Sequence, residues 1–179
     1  MDAVAIQNKF CDMSRKTDKS FKILKNVGEV AYHFPFDEPI LCVGCGDGFE
    51  LDAWKLLGFK DVKGIDVDPE KVAIAKSCGC DAEVASIEDY TFDEKINIYC
   101  SHTLEHCKDI DNIFEIFERN FLSVICVIVP IEKQGTKNPS HLSPIFSLYD
   151  ICWGIQDKKV VRCYENHNYE LQGIIVWKI

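Results

Sequence analysis

The chain has 179 residues, 47% of them hydrophobic, and a formal net charge of −9 at pH 7. That length and composition suit one globular domain with a real core, and the acidic balance disfavours a nucleic-acid partner, because neutralising phosphates is the main source of such affinity. No stretch reaches the length of a membrane span and the N-terminus has no apolar signal core, so a soluble, cytoplasmic protein is expected.

Residues 1–38 read as a helical lead-in. Phe21, Leu24, Val27, Val30 and Ala31 form a loose apolar stripe, which suits a helix covering one edge of a sheet or a lid over a ligand. Pro35 and Pro39 punctuate the entry to a first strand, Ile40 to Val43. Asp47, with Glu50 three residues on, marks a helix start, with Leu51, Trp54 and Leu57 facing inward until Gly58 ends it. Val62 to Val67 is a second strand. Asp68-Pro69 supplies an N-cap and a first-turn proline for a helix through Val72 and Ala75, stopped at Gly79. Ala82 to Ala85 and Ile96 to Cys100 are strands three and four. Asp109 opens a helix whose Ile110, Ile113, Phe114 and Phe117 line one face. Val124 to Val129 is an unbroken apolar run, as a strand covered on both faces requires. Ser143-Pro144 starts a helix with Leu148, Cys152 and Ile155 inward. Val160 to Tyr164 and Leu171 to Trp177 close the chain as an antiparallel hairpin.

The most informative segment is Cys42-Val43-Gly44-Cys45-Gly46-Asp47-Gly48, followed one β-α unit later by Gly64-Ile65-Asp66-Val67-Asp68. A strand running into a glycine-rich turn, then a second strand ending in a carboxylate, outlines a pocket for an adenosine-bearing ligand. A dinucleotide site needs a small residue at the third position of G-x-G-x-x-G/A. Here that position is Phe49 or Leu51, which disfavours a nicotinamide oxidoreductase.

The G-x-G-x-G spacing after a hydrophobic strand resembles the class I S-adenosylmethionine-dependent methyltransferases of the single-domain, small-molecule type. The resemblance covers residues 39–179. It implies an α/β fold: a Rossmann-like, seven-stranded, mostly parallel sheet with helices on both faces and a C-terminal antiparallel β-hairpin, formed by five β-α units and the hairpin. Residues 1–179 then form a single methyltransferase domain. The implied cofactor is S-adenosyl-L-methionine, with S-adenosyl-L-homocysteine as product. Gly44, Cys45 and Gly46 would lie against its methionine part, Asp66 would hold the ribose hydroxyls and Val67 would pack on adenine. Ser86, Ile87 and Glu88 would flank the adenine, and Ser101 and His102 would border the sulfonium and the acceptor. His141, in the loop from Pro130 to Pro144, is a second catalytic candidate beside His102, since an imidazole titrates near neutrality. Cys42 stands where the family often has an acidic residue, and Arg119-Asn120-Phe121-Leu122-Ser123 stands where it often has proline and glycines.

Segments typical of DNA-methylating relatives are absent after strand four, where the chain reads Ser101-His102-Thr103-Leu104. With the acidic charge, this points to a small molecule, sugar, lipid headgroup or protein side chain as acceptor, and the short loops favour a small one or one presented by another protein. An inactive cofactor-binding module acting through a protein partner stays open as the alternative. No metal is expected. Cys42-x-x-Cys45 and Cys78-x-Cys80 lack a complete zinc-ligand spacing. His102-x-x-Glu105-His106 matches a zinc-peptidase pattern, but that pattern needs a single helix, and His102 follows a strand directly. The ten cysteines are expected to be reduced and largely buried.

Overall fold

The computed structural model describes residues 18–132, 138–147, 149–152, 160–166 and 171–178. The chain runs α1 (Asp18–Val30), a 3-10 turn (Ala31–His33), β1 (Ile40–Val43), α2 (Phe49–Leu56), β2 (Val62–Asp66), α3 (Pro69–Ser77), β3 (Asp81–Val84), β4 (Ile96–Ser101), a second 3-10 turn (Leu104–His106), α4 (Ile110–Asn120), β5 (Phe121–Pro130), α5 (Tyr149–Cys152), β6 (Val160–Asn166) and β7 (Gln172–Lys178). The sheet has seven strands in the order β3-β2-β1-β4-β5-β7-β6. The first five are parallel. β7 runs antiparallel to both β5 and β6.

Strand patterning explains the layers. Ile40 and Cys42 of β1, Tyr99 of β4, Cys126 and Ile128 of β5 and Val176 of β7 pack on one face, against Val27, Val30, Leu51, Trp54, Val72 and Ala75 of α1, α2 and α3. The alternate residues Leu41, Val43, Cys100, Val127 and Trp177 pack on the other, against Ile113, Phe114 and Phe117 of α4. Strands covered on both faces bury every side chain, so they read as continuous apolar runs rather than alternating ones.

Trp54 anchors the first face. It is fully buried, with ring centroids 4.7 Å from Phe34, 4.9 Å from Phe59 and 5.3 Å from Tyr99. Trp54→Ala is expected to cost about 3–5 kcal/mol of stability, read as a lowered midpoint in urea unfolding. A change of less than about 1 kcal/mol would contradict this packing.

A polar node ties the sheet edge at the ends of β4 and β5 remote from the glycine turn. Asn97, fully buried, accepts from the backbone N–H groups of Ser123 (3.1 Å) and Val124 (2.8 Å), and its amide donates to Glu38 at 2.9 Å. Its neighbours Ile96 and Ile98 flank a register shift in the β4–β5 pairing, and the side chain bonds the backbone groups that the irregularity frees.

Several element boundaries differ from expectation. Gly48, with φ +89°, is the cap residue of α2, displacing Asp47. Leu57 follows the helix at its C-cap and is 37% exposed, because the chain turns away at Gly58 with φ +101°. The β3–β4 connection, residues 85–95, holds no helix, so one of the five expected β-α units is a bare loop. Ser143-Pro144 does not open a helix: α5 begins at Tyr149, and the Ser143 hydroxyl instead donates to the Cys107 carbonyl at 2.8 Å. Leu148 and Ile155 lie outside the described residues, as does the turn of the C-terminal hairpin. In α1, Val27 and Val30 are buried as expected, whereas Phe21 is exposed. The caps at Asp68 and Asp109 form as expected, accepting from the N–H groups of Glu70 and Asn112 at 2.9 and 3.0 Å.

Candidate functional site

A cleft of about 890 Å³ opens beyond the carboxyl ends of β1, β2, β3 and β4. In this strand order β1 lies between β2 and β4, and such a reversal of winding is where open α/β sheets hold ligands.

The turn after β1 forms one wall. The N–H groups of Gly44 and Cys45 both donate to the Ile65 carbonyl, at 2.8 and 3.0 Å. The Gly46 N–H donates to Asp66 Oδ2 at 2.8 Å, and the Asp68 N–H donates to Asp66 Oδ1 at 2.9 Å. Asp66 thus pins the turn to the end of β2, while each carboxylate oxygen keeps a lone pair for a further donor.

The glycines of the turn play different parts. A side chain on Gly44 would put its Cβ 1.9 Å from Thr103 Oγ1, so that glycine is required by packing. Thr103 is itself fixed, its hydroxyl lying 3.2 Å from the Val43 carbonyl and 3.1 Å from that of Ser101. A Cβ on Gly46 would meet only Lys71 Cδ, at 4.0 Å. Gly46 is the position at which a ligand can approach the backbone.

The other walls carry the remaining expected residues. Val67, 69% exposed, presents an apolar side chain at the lip. Ile87 is buried beside it, and the Ser86 hydroxyl contacts the Glu88 carboxylate. Ser101 and His102 line the opposite side. His102 has φ +51°, alone among the described non-glycine residues in the left-handed region. Residues held in that region at the end of a strand concentrate at functional sites. Its Nδ1 lies 3.6 Å from Glu105 Oε1, and its Nε2 lies 2.9 Å from the Gln172 amide nitrogen.

All the expected cofactor residues, Gly44, Cys45, Gly46, Asp66, Val67, Ser86, Ile87, Glu88 and Ser101, therefore line one cleft together with His102. His141 does not line it. Its ring contacts the Glu132 carboxylate and packs edge-on against His106, with centroids 5.0 Å apart. His106 is the histidine that reaches the cleft beyond His102.

Sequence reasoning also missed Glu50. Its spacing from Asp47 predicts only a helix start, yet it is a buried carboxylate on the cleft wall in the first turn of α2. Its charge is felt by the surrounding thiols. Burial, then Asp66, then Glu50 push the Cys45 thiol up to about 12. Burial and then Glu50 push Cys42 and Cys126 up as well. These thiols stay protonated at neutral pH, which makes them poor nucleophiles. Among the described residues, Glu105, His106 and His141 instead form a group of potential metal ligands.

Residues 41–120 match the protein family described as "Methyltransferase domain". No curated protein sequence matches the chain. Solved structures agree in fold at low identity. Magnesium protoporphyrin IX methyltransferase from Synechocystis, with bound S-adenosylhomocysteine, is 12% identical and superimposes with a TM-score of 0.71 over 89% of this chain and 83% of that one. An S-adenosylmethionine-dependent methyltransferase from Aquifex aeolicus is 19% identical, with a TM-score of 0.68 over 100% of this chain and 99% of that one. Coclaurine N-methyltransferase bound to N-methylheliamine and S-adenosylhomocysteine is 14% identical, with a TM-score of 0.68 over 82% of this chain and 51% of that one.

Proposed function

We propose that the chain is a class I S-adenosylmethionine-dependent methyltransferase, a reading supported by its methyltransferase-domain match over residues 41–120 and by its fold, and that it methylates a small-molecule acceptor held at the Ser101–His102–His106 end of its cleft. The observation that carries this reading is the open space at Gly46 beside a strand-end carboxylate, Asp66, in a cleft continuous with two histidines. A small acceptor is supported by the net charge of −9, which opposes a polyanion, and by the likeness in fold to magnesium protoporphyrin IX methyltransferase and to coclaurine N-methyltransferase. The unbridged thiols of Cys42, Cys45, Cys100, Cys107 and Cys126 support a cytoplasmic setting.

Bound S-adenosylmethionine supplies a methyl group already activated by a positively charged sulfur. Asp66 accepts from the ribose hydroxyls with the lone pairs its backbone partners leave free. Val67 and Ile87 cover the adenine, and Ser86 and Glu88 reach its polar edge. Glu50 takes the task that Cys42 cannot perform, offering a buried negative charge to the cofactor ammonium. Ser101 and His102, which line the cleft, would hold the acceptor there, and alignment of acceptor with donor supplies much of the rate. His102 Nε2, which accepts from the Gln172 amide at 2.9 Å, would take a proton from the acceptor nucleophile once the acceptor replaces that partner.

Glu50→Gln is expected to weaken S-adenosylhomocysteine binding by about tenfold, the effect of losing one charge-assisted bond. It also lowers the Cys45 thiol below its present position of about 12, because a neighbouring negative charge opposes thiolate formation. Unchanged affinity in a calorimetric titration would remove Glu50 from the cofactor site. The acceptor class is tested with an isotopically labelled methyl donor and an extract of the source cells. Label is expected in the small-molecule fraction, and label confined to protein or nucleic acid would contradict the proposal.

A further inference from the structure

Beside the cleft, two separate segments bring a distinct set of donors together. Glu105 and His106 come from the 3-10 turn after β4, and His141 comes from the loop after β5. One ligand atom from each lies within 4.8 Å of the others.

The two imidazoles are already oriented as ligands. His106 Nδ1 lies 2.8 Å from the Ser140 carbonyl. A carbonyl only accepts, so the proton sits on Nδ1 and the lone pair on Nε2, which faces Glu105 Oε1 at 3.9 Å. His141 repeats the arrangement. Its Nδ1 contacts the Glu132 carboxylate, which leaves Nε2 to accept, and Nε2 lies 2.9 Å from the Asn138 amide nitrogen. A ring nitrogen anchored on a carbonyl or carboxylate, which leaves the lone pair on the other nitrogen, is the usual state of a metal-binding histidine. Glu105 is 1% exposed, and its Oε2 has no hydrogen-bond partner among the described residues. A buried carboxylate oxygen in that condition is costly until a positive group meets it.

We propose that Glu105, His106 and His141 bind one divalent transition-metal ion through the Glu105 carboxylate and the two Nε2 atoms. Two imidazoles and one carboxylate favour zinc or iron over calcium or magnesium, which take oxygen ligands. Bonds of about 2.0–2.2 Å place tetrahedral ligands roughly 3.3–3.6 Å apart. From separations of up to 4.8 Å, the donors must therefore draw together by up to about 1.5 Å. The His106 side chain, 46% exposed, has room to do so, and the Asn138 amide must release His141. The site differs from the peptidase-like reading of the same segment, because His141 takes the place of His102, and it departs from the expectation of no metal. His106 also lines the cleft, so the ion would stand at the acceptor end and favour an acceptor carrying a hydroxyl or carboxylate oxygen. That last use rests on the methyl-transfer reading, whereas metal binding does not.

The test is a titration of the chelator-dialysed protein with Co²⁺, read by visible absorption, with S-adenosylhomocysteine titrated in parallel. The expected result is one equivalent bound, no sulfur-to-cobalt charge-transfer band, and affinity lowered at least about tenfold in both His106→Gln and His141→Gln. His141→Gln should keep its affinity for S-adenosylhomocysteine and its melting temperature without metal. No uptake, uptake insensitive to both variants, or a sulfur band pointing to the cysteines would overturn the proposal. Metal bound without S-adenosylhomocysteine would support this site and sink the methyl-transfer reading. S-adenosylhomocysteine bound without metal would do the reverse.

Discussion

Asp66→Ala is expected to lose S-adenosylhomocysteine affinity by about 100-fold or more. Two terms add. The carboxylate would accept from the ribose hydroxyls, and bonds to a charged acceptor contribute about 1.5–3 kcal/mol each. The same carboxylate holds the Gly46 and Asp68 N–H groups at 2.8 and 2.9 Å, so its removal also releases the turn that faces the ligand. A loss near 3 kcal/mol corresponds to roughly 100-fold. Asp68→Ala is the matched control. Asp68 caps α3 through the Glu70 and Lys71 N–H groups, so its loss should cost about 1 kcal/mol of stability and leave affinity nearly intact. Calorimetry and thermal unfolding on both variants separate the two. Equal affinities for Asp66→Ala and the wild type would remove Asp66 from the cofactor site.

Gly46→Val is expected to abolish cofactor binding in a protein that still folds. Its Cβ would project into space where Lys71 Cδ, at 4.0 Å, is the nearest atom. The fold therefore has room for the Cβ, and the branched side chain would occupy the ligand's space. The backbone has φ +52°, so the substitution carries a strain of about 1–2 kcal/mol, within the stability of an ordinary domain. Gly44→Ala should behave in the opposite way. Its Cβ would fall 1.9 Å from Thr103 Oγ1, and the loss there is of folding. A Gly46→Val protein that melts cooperatively and binds S-adenosylhomocysteine with wild-type affinity would contradict the placement of the ligand.

Much of the fold was legible because its signals are local. The apolar run of β5, the Asp68-Pro69 start of α3 and the Asp109 start of α4 each depend on a few adjacent residues. The glycine turn and Asp66 were legible for the same reason, since strand-end positions of an open α/β sheet converge whatever the rest of the chain does. What escaped depends on contacts distant in sequence. Glu50 looked like an ordinary first-turn acid, and only the packing of α2 turns it into the cleft wall. His141 was legible as a loop histidine, but its place behind His106 is set by Glu132 and by the return of the chain past Ser140. The difference between Gly44 and Gly46 is invisible in a spacing pattern, because it is decided by Thr103, some sixty residues away. The expected helix at Ser143 failed because the hydroxyl that should have capped it found the Cys107 carbonyl instead.

The central claim is that this cleft holds S-adenosylmethionine, and calorimetric titration of the full chain with S-adenosylhomocysteine, with NAD in parallel, tests it most directly. Saturable binding of S-adenosylhomocysteine at one site, lost in Asp66→Ala and Gly46→Val, and none of NAD is the predicted result. Binding of NAD, or of neither ligand, would contradict the account.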